Sequence, residues 1–226
     1  MRLVRPVTVT DAVLASSNIP ETDYAAWSGA TDYAVGDRVI LVATNFHRVY
    51  ESQLDSPNNL NKNPLTEPTY WLLVGSTNKW RAFDNSPSEQ SSYGSQIAVT
   101  LVPGERVDTV ALMNVYAGTV TITQTDPVGG LVYNQTYPLI STSGITDWYA
   151  YFFEPIVHVA DFSVSDLFPY AASTLGITLD AAGETVLLGE CVVGLSREIG
   201  GTQYGASVGI ADYSIKQLDT WGNATV

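Results

Sequence analysis

The stretch GTVTITQT, residues 118 to 125, decides the fold class. Val120 and Ile122 fall on one parity, and Thr119, Thr121 and Thr123 on the other. Strand side chains alternate across a sheet, so this period of two describes a strand with one face in a core and one half-wet.

The same reading extends in both directions. QIAVTLVP (96–103) puts Ile97, Val99 and Leu101 on one face, and LVYNQTY (131–137) and STLGITLD (173–180) behave alike. Turn signals separate the runs at Pro103-Gly104, Asp126-Pro127, Gly129-Gly130 and Gly183. TVLLGECVVGLS (185–196) is apolar on both parities, which fits a strand near the centre of a sandwich. About eight short strands with such punctuation predict a sandwich or jelly roll over residues 78–198. No long helical pattern alternates with them, which argues against a doubly wound α/β fold.

Residues 24–77 read as a separate small β domain. RVILVAT (38–44) and HRVYES (47–52) flank a short Asn45-Phe46 connection, so a hairpin is expected, and YWLLVG (70–75) supplies a closing strand. Trp27, Tyr33, Tyr50 and Trp71 are expected to fill its core, because so short a chain buries little else. Between the strands lies a loop rich in proline and asparagine, residues 53–69, of a length usually tied to function or motion. The flanks are expected to be arms. Residues 1–23 contain the best helical candidate, Thr10 to Ser16, with Asp11 as its cap and Pro20 as its stop. Residues 199–226 form a glycine-rich C-terminal arm suited to pairing with another element or subunit.

Charge excludes several function classes. With 23 acidic and 10 basic residues the net charge is −13, and the basic residues are scattered. Phosphate backbones are bound by lysine and arginine, so neither nucleic acid nor an anionic membrane is an expected partner. Only 15% of residues are charged, so neutral polar surfaces dominate, as in parts that face other subunits. The N-terminal twenty residues lack a sustained apolar stretch, so no signal peptide is expected. No apolar run approaches the ~18 residues of a membrane span, so synthesis in the cytoplasm is expected.

Reactive groups are scarce. Cys191 stands alone within an apolar run and reads as a buried small hydrophobe. His47 and His158 are the only imidazole bases, and neither lies near a nucleophile motif. Two distant histidines and one cysteine do not make a metal site, and no cofactor fingerprint occurs. Acids and rings crowd together only in DWYAYFFEP (147–155), where Asp147 and Glu154 could form a carboxylate pair. Read as a strand, this run sends Trp148, Ala150 and Phe152 one way and Tyr149, Tyr151 and Phe153 the other. The expectation is a strand packed at an interface, with a sugar-stacking strip as the alternative and no enzyme activity.

Two resemblances add to this. Ala26-Trp27, Tyr33 with Gly36 three residues on, Val39, Tyr50, Pro68 and Trp71 make residues 24–75 resemble the small chitin-binding modules of bacterial chitinases. The resemblance implies a three-stranded fold whose rings form a tiny core. In those modules a tryptophan ahead of the proline stacks on the sugar, whereas SPNNLNKNPLTEP (56–68) contains no aromatic residue. The rest is similar to a family of bacteriophage tail proteins in NKWRAFD (78–84), DWYAYFFEP (147–155) and TQYGASVGIADYS (202–214). The NKW-x-x-FD pattern also resembles the first strand of galactose-binding-like jelly rolls.

The tail likeness implies a structural virion component of the tail tip, adaptor or fibre-attachment region, made in the host cytoplasm. Its partners would be other tail subunits and further copies of itself. The alternative is a carbohydrate-binding receptor module, with Trp80, Tyr149 and Tyr151 contacting a host-surface glycan.

Overall fold

The computed structural model describes residues 2–55, 59–141, 145–153 and 157–201, with the backbone of Gln217–Leu218 and Ala224–Thr225. Val4–Arg197 forms one compact unit. Met1–Leu3 and Glu198–Val226 form another, in which Gln217–Leu218 pairs antiparallel with Ala224–Thr225. TQYGASVGIADYS lies outside the described residues.

In chain order the first strands are β1 (Arg2–Pro6), β2 (Leu14–Ser17), β3 (Arg38–Ala43), β4 (Phe46–Ser52), β5 (Trp71–Ser76), β6 (Ser91–Tyr93), β7 (Gln96–Leu101) and β8 (Thr109–Tyr116). There follow β9 (Thr119–Asp126), β10 (Gly130–Pro138), β11 (Ile140–Ser141), a helix α1 (Trp148–Phe153), β12 (Val157–His158), β13 (Phe162–Val164), β14 (Thr174–Asp180) and β15 (Val186–Glu198).

The sandwich has two five-stranded sheets. One runs β1-β15-β8-β13 with β6 also on β15; the other runs β10-β9-β14-β7-β2. Alternation on β14 sends Leu175, Ile177 and Leu179 inward. Register then aligns Ile177 with Val99 on one side and Ile122 on the other, and Leu179 with Ile97 and Val120. These residues share one core with Val110, Leu112, Leu188 and Val193 of the other sheet. Burying each such side chain stabilises the fold by about 2 kcal/mol. Gln124 sits at a core position on β9 but is satisfied: its amide donates to Phe168 O at 2.7 Å and Ser173 Oγ at 2.9 Å, and its Oε1 accepts from Phe168 N.

The N-terminal residues depart from the expected arm. The amides of Val13 and Leu14 both donate to Thr10 O, which closes a single turn and no helix. The chain then enters β2 because Leu14 and Ile19 are buried in the sandwich core and β2 completes the sheet beside β7. β1 lies beside β15, where Gly194 admits it. A Cβ there would stand 2.1 Å from Arg5 O.

The small sheet has the order β3-β4-β5. Ala43 pairs with Phe46, so the hairpin turn is Thr44-Asn45, one residue earlier than the sequence suggested. Asn45 adopts φ 57°, a conformation asparagine tolerates better than most residues. Tyr33, Val39, Tyr50 and Trp71 are buried together and Trp27 packs against them half-buried. The long loop is pinned from both ends: Trp71 Nε1 donates to Lys62 O at 2.8 Å, and buried Asn59 donates to Tyr33 O and accepts from Tyr33 N.

Candidate functional site

The crowded aromatic run is a helix and not a strand. α1 opens with Tyr151 N donating to Asp147 O at 3.1 Å. It lies between β11 and β12, which pair Ile140 with His158 and Ser141 with Val157. Helical spacing brings together residues three and four apart. Trp148 meets Tyr151 edge-on at 6.0 Å and lies near-parallel to Phe152 at 6.3 Å, and Tyr149 meets Phe153 at 4.8 Å.

These rings face solvent. Trp148 is 77% exposed, Tyr149 69%, Tyr151 61%, Phe152 68% and Phe153 71%. The sandwich core buries Leu101, Leu112, Leu175, Leu179 and Leu188 completely, whereas this short helix leaves five large rings exposed as an apolar patch. Ile145, Thr146, Asp147, Trp148 and Tyr151 line an open hollow of about 680 Å³. Glu154, the other half of the candidate carboxylate pair, lies outside the described residues.

A second group gathers around the ends of β8 and β12. The Tyr116 and His158 rings are 4.3 Å apart, His158 Nδ1 is 3.2 Å from Ala117 O, and Tyr116 OH donates to Glu184. That bond, together with the nearby carboxylate charge, holds the phenol above its ordinary pKa. Ile140, His158, Tyr116 and Glu184 border a hollow of about 590 Å³. Sequence reading missed this group because Tyr116 and Glu184 are 68 residues apart and no local pattern links them.

Trp80 is elsewhere. It is only 8% exposed, belongs to the sandwich core, and stacks on His47 with centroids 4.2 Å apart. The expectation of an exposed sugar-stacking ring at this position is corrected: His47 covers one face. The structure therefore carries Tyr149 and Tyr151 on one short helix but in different ring contacts, Tyr151 beside Trp148 and Tyr149 beside Phe153, and leaves Trp80 apart. His47 itself contacts Glu21 through Nδ1 at 2.8 Å and Asp11 through Nε2 at 2.6 Å. Among the described residues no group of three or more histidine, cysteine, aspartate or glutamate side chains is placed to hold a metal ion. Nor is any described helix long and apolar enough to cross a membrane.

Fold and site together define an all-β sandwich protein with a small three-stranded sheet and an exposed aromatic helix. No protein-family model matches the chain, so the tail-protein likeness has no family model behind it. No curated protein matches it either. Solved structures do resemble it. Chitosan-binding module 1 of a chitosanase/glucanase from Paenibacillus sp. IK-5 is 17% identical, over 50% of this chain and 81% of that one, with a TM-score of 0.33. A mutant lectin binding domain of Lectinolysin complexed with Lewis b is 16% identical, over 51% and 82%, with a TM-score of 0.35. CpGH89CBM32-6 from Clostridium perfringens is 8% identical, over 51% and 83%, with a TM-score of 0.32.

Proposed function

We propose that this chain is a non-catalytic glycan-binding protein whose contact surface is α1. One observation carries the reading: Trp148 and Tyr151 stand exposed beside a hollow that also presents Thr146 and Asp147. A sugar ring has an apolar C–H face and a rim of hydroxyls. The first stacks on flat aromatic rings, and the second hydrogen-bonds to carboxylate and hydroxyl oxygens. The rings of Trp148 and Tyr151, with the oxygens of Thr146 and Asp147, supply both. Retention on host-cell polysaccharide tests it: wild type is held, Trp148→Ala is not, and equal retention of the two removes the assignment.

A second reading is favoured by Phe152 and Phe153, which expose rings with no polar handle. Such rings belong to the desolvated centre of a protein interface, where aromatic residues are enriched and charges depleted. On this reading the chain is a structural part of a virion tail and α1 docks on a neighbouring subunit or another copy. Light scattering of the purified chain, alone and with candidate tail proteins, tests it. A persistent monomer in every mixture rejects it.

A further inference from the structure

A hollow of about 290 Å³ lies where the small sheet meets the sandwich, at the lower end of the sizes that hold small ligands, about 300 to 1,000 Å³. Its lining comes from chain segments far apart in sequence. Asn45 and Arg48 belong to the small sheet, whereas Trp80, Phe83 and Asp84 belong to the start of the sandwich.

Four features mark it as built for a ligand. Trp80 is more than nine-tenths buried, yet its indole N–H has no hydrogen-bond partner among the described residues. A buried donor left unpaired costs about 1 to 3 kcal/mol, and this N–H is itself closed off from solvent, so an acceptor in the hollow recovers that loss only where the lining shifts to admit it. The wall beside it is rigid, since His47 is stacked on Trp80 and held at both ring nitrogens by Asp11 and Glu21. Opposite charges also line the same small space. Arg48 is exposed and lies 4.8 Å over the Phe46 ring, and Asp84 keeps one carboxylate oxygen on Ser86 N. Finally, Phe46 and Phe83 add apolar ring surface to the lining.

A guanidinium and a carboxylate together favour a ligand without net charge. Such a ligand must accept from Arg48, donate to Asp84, and offer C–H surface to the rings. Neighbouring hydroxyls on a pyranose do all three, because each hydroxyl both donates and accepts. We infer that this hollow is a second binding site, taking a single uncharged pyranose residue. It rests on its own residues and stands whether or not α1 binds glycan.

The test follows the indole N–H resonances of the five tryptophans in nitrogen–proton correlation spectra of the full chain. Galactose and N-acetylglucosamine are titrated to high millimolar concentration. The expected result is a saturable shift of the Trp80 indole peak, assigned through its bonded network. Arg48→Ala and Asp84→Asn, both at the rim, should weaken that binding by at least about tenfold. Trp148→Ala should leave it unchanged. A Trp80 peak that stays still with both sugars overturns the inference, as does a shift retained in full by both rim variants. A shift lost in Trp148→Ala also overturns it, by returning the effect to α1. So does a shift produced by free alanine and by neither sugar.

Discussion

The imidazole of His47 lies against the indole of Trp80, with ring centroids 4.2 Å apart and planes inclined by 19°. His47 stands on the small sheet and Trp80 belongs to the sandwich core, so this pair ties the two bodies together. Glu21 and Asp11 grip the edge of the imidazole, and Thr77 Oγ1 donates to Glu21 at 2.7 Å. Replacing His47 with alanine removes the stack and leaves Glu21, whose side chain is 15% exposed, without its imidazole partner. The expected loss is about 2 kcal/mol of stability, read from urea denaturation. Unchanged unfolding in His47→Ala would show that the pair joins nothing.

Asp11 gives this junction a dependence on acid. Its carboxyl is held below the ordinary carboxylate range, first by the amide of Asn45, which donates to Oδ2 at 2.8 Å, and further by His47. A depressed pKa in the folded state means that the stabilisation is fully present above the unfolded value, about 3.9. It is lost as pH falls through the lower, folded value. Asp11→Asn should therefore be less stable than wild type at about pH 6, with the gap closing at about pH 2. Denaturation midpoints at the two pH values decide it, and a gap that widens in acid contradicts the assignment.

Much of the fold is legible because strand parity is a local signal. The Leu175, Ile177, Leu179 row can be read from alternation alone, and the structure puts all three in the core. α1 could not be read that way. Residues 148–153 are aromatic at every position but Ala150, so no contrast between apolar and polar residues marks a period of two or of 3.6. The route of residues 2–17 is also hidden, since β2 finds its partner β7 more than eighty residues downstream. His47, Asp11 and Glu21 illustrate the same limit: each is unremarkable alone, and only the folded chain brings them within hydrogen-bonding reach.

Asn59 should be the least replaceable polar residue around the small sheet. It is fully buried and its amide nitrogen serves Tyr33 O, Ser52 Oγ and Leu54 O, while Oδ1 accepts from Tyr33 N. Alanine there takes the side-chain partner from both Tyr33 N and Tyr33 O, beside a core that contains only a few large side chains. The expected destabilisation is about 3 kcal/mol, followed by the fluorescence of Trp71. A loss below about 1 kcal/mol would place the weight of the loop elsewhere.

Cys191 is predicted to be chemically silent in the folded chain. Burial, with the neighbouring Glu190 charge, pushes its thiol up to about 12, and only 4% of the residue is exposed. Since the thiolate is the reactive form, a thiol reagent at about pH 8 should modify the native protein negligibly. Adding denaturant should give one modified thiol per chain, matching the single cysteine. Rapid labelling under native conditions would mean that β15 opens locally.

The two readings of α1 separate by which rings matter. Trp148 lines the hollow with Asp147, whereas Phe152 and Phe153 do not. All three rings are more than two-thirds exposed, so alanine at any of them should change stability by less than about 0.5 kcal/mol. That near-neutrality lets binding be read without interference from folding. If glycan is the ligand, Trp148→Ala abolishes polysaccharide retention, because it removes the largest flat stacking face. The double variant Phe152→Ala, Phe153→Ala then retains most of the binding. If a protein is the partner, the double variant suffers the larger loss, since each phenylalanine contributes only apolar area to a desolvated centre. Retention on polysaccharide and co-sedimentation with partner subunits, measured on the same variants, give opposite orders in the two cases.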